Sequence, residues 1–235
     1  MVLNGIDRIC DFASLFKEKK LGVITSLSGL SKDFTPSWKI LAERYTVRAL
    51  FAPEHGLYGC ENAGTVWDSE NKSIAGMPLY SLYRQDGQDF KPDTLTDIDT
   101  LVYDIQDVGA RFYTYISTLI LAMRAASMHG KAVIVLDRPN PLGGVKVEGN
   151  IVKKSFESFI GMYPLCIRYG LTAAELARMV HTEEQLRCPL HIVPMEHWRR
   201  DMLFTETGRV WIQPSPNLPH FDNTLAYPGT ALFEG

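Results

Sequence analysis

The chain has 235 residues, enough for one large domain or two small ones with a buried core. Its 24 Lys and Arg residues are slightly outnumbered by 27 Asp and Glu residues, which disfavours nucleic acid as a partner, because proteins that neutralise nucleic-acid phosphates normally carry a strong basic excess. The apolar runs are too short to cross a membrane and the N-terminus has no apolar leader, so we predict a soluble cytoplasmic protein that does not bind membranes.

Short β-branched runs alternate with longer helical patterns, which predicts an α/β fold whose mostly parallel, Rossmann-like sheet is flanked by helices. In chain order, the predicted elements are a strand over 21–25, a helix over 36–44, strands over 47–51 and 100–105, a helix over 113–129, a strand over 132–136, a helix over 172–181 and a strand over 190–193. Thr172 and Glu175 have the spacing of a capping box at the start of the last helix.

Two regions depart from this alternation. Residues 54–91 have weak periodicity and many Gly, Asn, Asp and Ser residues, which is typical of a functional excursion rather than a simple connection. Residues 213–235 contain four prolines and are predicted to hold little regular structure. We therefore expect a Rossmann-like domain over 1–212 and a proline-rich connection over 213–235, truncated before a smaller C-terminal domain.

Polar side chains are concentrated where three predicted strands end, and ligands of open parallel sheets bind at the carboxyl ends of strands. They are Glu54 and His55 after the second strand, Asp104, Gln106, Asp107 and Arg111 after the third, and Asp137, Arg138, Asn140 and Glu148 after the fourth. Several of these residues could have a structural role instead of a binding role. Asp137 and Arg138 could form an ion pair, Asp104 and Asp107 could cap a helix, and His55 could be an ordinary loop histidine. A structural role accounts for Glu54 less well, because it lies between a proline and a histidine at the end of a predicted strand, where capping explains little.

The sequence lacks the motifs of several common classes of enzyme. The chain contains no GxGxxG, GxxxxGK[ST], GxSxG or HExxH pattern. Its four cysteines, Cys10, Cys60, Cys166 and Cys188, have no metal-ligand spacing, so we expect reduced thiols and neither a metal nor a cofactor. Carboxylates, amides and arginines remain, together with aromatic residues that suit the apolar faces of sugars: Tyr58, Trp67, Tyr80, Tyr83, Phe112, Tyr113 and Tyr115.

Three longer motifs make the prediction specific: FAPEHG at 51–56, DIQDVGARFYTY at 104–115 and LDRPNPLGG at 136–144. Together they resemble the exo-β-N-acetylmuramidase family, earlier known only as a domain of unknown function, and the resemblance extends over essentially the whole chain. It implies a Rossmann-like N-terminal domain that binds no nucleotide, a smaller C-terminal domain and an active site between them. It also implies release of N-acetylmuramic acid from the non-reducing end of peptidoglycan fragments, as in cell-wall recycling.

The resemblance implies that Glu54 is the catalytic glutamate, which we predict to protonate the leaving oxygen. Glu148 is the first candidate for a second catalytic carboxylate, with Glu234 and Asp107 behind it. The predicted substrate-binding residues are His55, Gln106, Asp107, Arg111, Tyr113, Asp137, Arg138, Asn140 and Asn217. Among the arginines, Arg111, Arg138 or Arg168 could bind the lactyl carboxylate of the sugar, because a guanidinium matches a carboxylate bidentately.

Two other functions remain open at this point. A non-catalytic muropeptide- or sugar-binding module would keep the aromatic residues and arginines without needing Glu54. A nucleotide-dependent oxidoreductase would use the same kind of sheet, but the absent glycine motif disfavours it. The oligomeric state stays open as well.

Overall fold

The computed structural model describes residues 1–66, 72–84 and 90–233. The strands are β1 (Lys20–Thr25), β2 (Thr46–Ala52), β3 (Ser73–Ile74), β4 (Met77–Ser81), β5 (Thr100–Asp104), β6 (Ala132–Leu136) and β7 (Leu190–Val193). The helices are α1 (Ser37–Arg44), α2 (Tyr115–His129), α3 (Ala173–Glu183) and α4 (Phe221–Thr230). Short 3-10 helices cover Gly5–Arg8, Ala13–Leu15, Pro92–Leu95, Lys154–Phe156, Phe204–Thr207 and Ala231–Phe233.

The strands form one sheet in the order β3-β4-β2-β1-β5-β6-β7. All neighbouring strands are parallel except β3 and β4, which are joined by a tight antiparallel turn. The chain winds outwards from β1 to β2 and β4, and then returns to place β5 on the other side of β1. The order of the strands therefore reverses at β1, which is where ligand-binding crevices form in sheets of this kind.

Both faces of the central strands are buried, as in other parallel sheets covered by helices. On β1, Ile24 points into one apolar cluster with β5, β6, α2 and α3, while Val23 points into a second cluster with α1 and the N-terminal segment. Both side chains are fully buried. The alternation fixes the register of the strand, because a shift by one residue would exchange its two faces.

The predicted α/β class with a mostly parallel, helix-flanked sheet is confirmed, and the predicted strands and helices match the observed ones within two residues at each end. The predicted capping box is also present. Thr172 Oγ1 accepts a hydrogen bond from the backbone N–H of Glu175, and Glu175 Oε2 accepts one from the N–H of Thr172. No helix in the described ranges has the length and hydropathy to cross a membrane.

The prediction of little regular structure over 213–235 was wrong, because α4 occupies ten residues of this region. The helix forms because Phe221 and Thr224 are buried against the rest of the molecule, while Pro228 lies only in its last turn. The excursion over 54–91 also contains β3 and β4, which extend the sheet beyond β2. The division into a domain over 1–212 and a connection over 213–235 stays a prediction.

Candidate active site

Glu54 lies two residues after β2, at the carboxyl edge of the sheet, and is only 7% exposed. Its Oε1 accepts a hydrogen bond from the backbone N–H of Gly64 at 2.8 Å, and its Oε2 accepts one from the Thr114 hydroxyl at 2.7 Å. Each carboxylate oxygen therefore has one donor, from a different segment of the chain. The arrangement fixes the orientation of a buried acid.

The carboxylate of Glu54 lines a cavity of about 100 Å³. The lining residues combine aromatic rings with small polar groups: His55, Ala63, Phe112, Tyr113, Thr114, Ile160, Ser215, Asn217, Leu218 and Tyr227. Among the described residues, Glu54 is the one carboxylate in this lining. Tyr83 lies near it as well, since burial and then the charge of Glu54 raise the pKa of the Tyr83 hydroxyl.

His55 is held firmly beside the acid. Its ring stacks on Tyr113 with 5.8 Å between the ring centroids, and its Nδ1 is 2.9 Å from the carbonyl oxygen of Glu61. The backbone φ of His55 is +69°, a conformation that costs free energy for a residue with a side chain. Strained residues of this kind cluster at functional sites, because the surrounding structure must hold them in place.

The structure brings four of the predicted site residues to this one cavity: Glu54, His55, Tyr113 and Asn217. Of the predicted aromatic residues, Phe112 also lies there, Tyr115 packs against the ring of Tyr113, Tyr80 lines another cavity and Tyr58 is exposed. Trp67 and Glu234 lie outside the described residues. The chemical roles of these residues stay predictions.

Glu148 lies in a different cavity, of about 280 Å³, that also contains Arg168 and residues of α4. Its carboxylate is 59% exposed and forms an ion pair of 2.8 Å with Arg168. The guanidinium of Arg168 also donates to the carbonyl oxygen of Leu142. The structure thus does not place the first candidate for a second catalytic carboxylate in the cavity of Glu54.

Asp107 is a buried residue of the loop that follows β5 and does not line the cavity of Glu54. Its Oδ2 accepts hydrogen bonds from the N–H of Gly109 and from the Tyr169 hydroxyl, while its Oδ1 has no partner among the described residues. Burial raises the pKa of Asp107 to about 6, although the hydrogen bonds from Tyr169 and the backbone lower it. These contacts stabilise the loop.

Asp137 and Arg138 do not pair with each other, contrary to one of the structural alternatives. Arg138 donates from Nε and Nη2 to both carboxylate oxygens of the fully buried Asp104, at 2.6 and 2.8 Å. Asp137 accepts hydrogen bonds from the Thr172 hydroxyl and the N–H of Ala174 at the start of α3, and burial raises its pKa to about 6. Both residues connect separate elements of the fold.

Gln106 and Asn140 also bridge strand-end loops. The Gln106 side chain donates to the carbonyl oxygens of Asp107 and Pro139, and it lines a cavity of about 240 Å³ with Arg138. The Asn140 side chain donates to the carbonyl oxygen of Leu171 and accepts from the N–H of Leu142. Arg111 lines a further cavity, of about 370 Å³, which shares Phe112 and Ile160 with that of Glu54.

Sequence reasoning missed the two groups that hold Glu54. Thr114 lies within the motif at 104–115, but its contact with Glu54 joins residues 60 positions apart. Gly64 contributes only its backbone N–H, which leaves no signal in the sequence. Within the described ranges, no cluster of three or more His, Cys, Asp or Glu residues could hold a metal ion.

The fold and this site define an α/β protein with a buried acid in an aromatic-lined cavity at the carboxyl edge of a mostly parallel sheet. A family model described as exo-β-N-acetylmuramidase NamZ, N-terminal, matches residues 21–222. The chain therefore belongs to the NamZ N-terminal family, which confirms the resemblance found in the motifs.

Similar proteins agree with this membership. The peptidoglycan β-N-acetylmuramidase NamZ of Bacillus subtilis (strain 168) is 41% identical over 237 residues, covering 100% of this chain and 57% of that protein. Crystal structures of two DUF1343 family proteins from Bacteroides fragilis NCTC 9343 have TM-scores of 0.90 and 0.83 at 39% and 32% identity. These matches cover 99% and 100% of this chain, and 60% and 62% of theirs. The chain thus spans less than two thirds of the length of these relatives.

Proposed function

We propose that this chain supplies the acid-bearing part of a peptidoglycan glycosidase that releases N-acetylmuramic acid from the non-reducing end of its substrate. The observation that carries the proposal is the geometry of Glu54, a carboxylate oriented by Gly64 and Thr114 at the wall of an aromatic-lined cavity. The name of the Bacillus subtilis relative supports the choice of peptidoglycan as substrate. A cytoplasmic site of action remains a prediction, which subcellular fractionation would test.

In the proposed mechanism Glu54 is the general acid. Cleavage of a glycosidic bond develops positive charge on the sugar ring and negative charge on the leaving oxygen, so a proton delivered to that oxygen lowers the barrier. The two hydrogen bonds to Glu54 keep its carboxyl group in one orientation, and the half-buried ring of Tyr227 in the cavity lining offers apolar surface to a sugar. Glu148 and Glu234 remain predictions for the second catalytic group.

The test is Glu54→Gln in the full-length protein, assayed with a chromogenic N-acetylmuraminide. Glutamine preserves the shape and both contacts, because its amide oxygen accepts from Gly64 and its NH₂ donates to the Thr114 hydroxyl. Without a transferable proton, turnover should fall by about 10²-fold or more. Thermal unfolding should stay close to that of the unaltered protein.

Glu43→Gln is the matched control, since Glu43 is an exposed glutamate on α1. Its turnover should equal that of the unaltered protein. Near-normal turnover of Glu54→Gln would refute the role of Glu54. Binding of the chromogenic N-acetylmuraminide without its hydrolysis by the unaltered full-length protein would instead identify a non-catalytic sugar-binding module.

A further inference from the structure

We propose that Arg111 binds the lactyl carboxylate of N-acetylmuramic acid, in the cavity that adjoins the one at Glu54. The inference rests on the proposed function, because it names the residue that would distinguish this sugar from its relatives without a carboxylate. Three independent features of Arg111 support it: its unused hydrogen-bond donors, its missing counter-charge and its position.

The guanidinium of Arg111 uses only one of its edges within the described part of the chain. Arg111 is 6% exposed, and its Nη1 donates to the carbonyl oxygens of Asn150 at 2.7 Å and Leu165 at 2.6 Å. These two bonds occupy both hydrogens of Nη1. The Nε–H is buried without an acceptor, and Nη2 makes no hydrogen bond to a described residue. Nη2 is therefore available to donate to a ligand, and the buried Nε–H lies beside it without a partner.

Other arginines of the same molecule show what this edge binds. Arg138 presents Nε and Nη2 to the two carboxylate oxygens of Asp104, and Arg124 presents the same atoms to Glu184 at 2.9 and 2.6 Å. This bidentate geometry is the one in which a planar guanidinium fits a carboxylate best. A ligand carboxylate bound first at Nη2 of Arg111 would repeat this arrangement once a small side-chain shift let it reach Nε as well.

Arg111 also lacks a counter-charge. Arg209 pairs with Asp7 and Arg168 pairs with Glu148, whereas Arg111 forms no ion pair with a described residue. A buried charge without a partner is strongly unfavourable, and burial accordingly lowers the pKa of Arg111. The ring of Phe112, 5.1 Å from the guanidinium carbon, compensates only in part. An anionic ligand would supply the negative charge that the buried guanidinium lacks.

The position of Arg111 suits a group attached to a sugar at Glu54. The cavity at Glu54 has about 100 Å³, below the roughly 300–1,000 Å³ typical of small-molecule sites. A sugar residue must therefore extend past it, and the cavity of about 370 Å³ at Arg111 shares Phe112 and Ile160 with it. Arg111 precedes Thr114 by three residues, which limits their Cα separation to roughly 11 Å.

The structure selects Arg111 from the three arginines that the sequence offered for this role. The edge of Arg138 is occupied by Asp104, and Arg168 is engaged by Glu148 in a separate cavity. Lys153, an exposed lysine in the lining of the cavity at Arg111, adds a second positive charge there. The local charge therefore favours an anion.

The first experiment changes the substrate and leaves the protein intact. The full-length protein is assayed with a chromogenic N-acetylmuraminide and with its lactyl methyl ester, which has no negative charge. Loss of a charge-assisted hydrogen-bonded pair should lower kcat/KM for the ester by about 10- to 150-fold. Equal kcat/KM values for acid and ester would overturn the proposal while leaving the proposed glycosidase function in place.

The second experiment measures kcat/KM for the acid and the ester in variants of Arg111. Arg111→Met should lower kcat/KM for the acid to the level of the ester, and it should abolish the preference between the two. Arg111→Lys should show an intermediate preference, because lysine keeps the charge and loses the planar fork. Arg178→Met, which removes an exposed arginine of α3, is the matched control and should keep the full preference. A preserved preference in Arg111→Met would contradict the proposal.

Calorimetry keeps the test independent of turnover. In the Glu54→Gln background, N-acetylmuramic acid should bind about 10- to 150-fold more tightly than its methyl ester, and only when Arg111 is present. A muramoyl dipeptide distinguishes two sources of carboxylate, since its lactyl group is an amide and its peptide carries the charge. Binding that depends on Arg111 for the dipeptide but not for the free sugar acid would overturn the assignment to the lactyl group.

Discussion

The Thr114 hydroxyl illustrates how one residue can serve the site at the expense of local structure. Thr114 occupies the N-cap position of α2, where a threonine side chain ordinarily accepts a hydrogen bond from the first turn of the helix. Here the side chain makes no such bond and donates to Glu54 Oε2 instead. The helix gives up a cap that is commonly worth about 1 kcal/mol. The Thr114 hydroxyl thus orients Glu54 instead of stabilising the start of α2.

Replacing Thr114 with valine should separate this contact from the packing around it. Thr114→Val keeps the branched shape and removes the donor, so Glu54 loses the alignment that its second hydrogen bond provides. We expect kcat to fall roughly ten- to hundredfold, because small misplacements of a catalytic group have effects of this size. The unmet carboxylate oxygen should also lower the free energy of unfolding by about 1–3 kcal/mol.

Steady-state kinetics and urea unfolding measure the two effects of Thr114→Val separately. Thr114→Ser is the control, because it restores the hydroxyl and should recover most of the turnover. Full activity in the valine variant would show that Gly64 alone is sufficient to orient Glu54.

The loop after β5 packs closely against the loop after β6 at Gly109. Gly109 has a φ of +79°, and a methyl group added to it would lie 2.3 Å from Oδ1 of Asn140. Asn140 is itself bonded to Leu142 and to Leu171, so the loops after β5 and β6 and the start of α3 meet at one point. The loop after β5 carries Arg111 and Thr114, so its position determines the geometry of the site.

Two glycines allow a controlled test of this packing. Gly130, at the C-terminus of α2, has a φ of +63° and no atom within 4 Å of an added methyl group. Gly130→Ala should therefore lower the free energy of unfolding only by the roughly 1–2 kcal/mol of a left-handed alanine. Gly109→Ala should lower it by about a further 1–3 kcal/mol through overpacking, and should also reduce kcat.

Urea unfolding of the two glycine variants compares these values directly, and the muraminide assay compares their turnover. Equal destabilisation by the two alanines would mean that the contact with Asn140 relaxes freely.

At the level of elements, sequence patterns succeeded where the signal is local. The capping pair Thr172 and Glu175 is visible as a spacing of three, and β6 reads as an unbroken apolar run because both of its faces are buried. Helix α4 was missed because prolines lower its intrinsic propensity, while the burial of Phe221 and Thr224 that stabilises it is a tertiary effect. Strand β4 was missed because its pairing with β2 joins distant segments.

Over the whole molecule, the strand-end rule predicted which residues gather at the carboxyl edge of the sheet but not which of them pair there. Glu54, His55 and Tyr113 meet in one cavity, although β1 lies between the strands β2 and β5 that they follow. Asp104 and Arg138, however, are 34 residues apart and neutralise each other in the interior. Sequence spacing does not reveal which charges pair over such separations. It consequently could not separate ligand-binding arginines from structural ones.

Two buried acids affect the stability of the whole fold. Burial raises the pKa of Asp107 and of Asp137 to about 6, from about 3.8 for an exposed aspartate, in spite of their hydrogen bonds. Each carboxyl group therefore binds its proton more tightly in the folded chain than in the unfolded chain. Its contribution to stability is complete below about pH 4 and is lost as the pH rises through about 6.

The variant Asp107→Asn tests this dependence, because asparagine has nearly the same shape and cannot ionise. The free energy of unfolding of the unaltered protein should decrease relative to that of the variant as the pH rises from about 4 to 8, by up to about 3 kcal/mol. Urea unfolding at several pH values across this range measures the difference. Asp33→Asn, which alters an exposed aspartate, is the control for general effects of charge. A difference that stays constant with pH would show that Asp107 ionises as readily in the folded protein as in the unfolded chain.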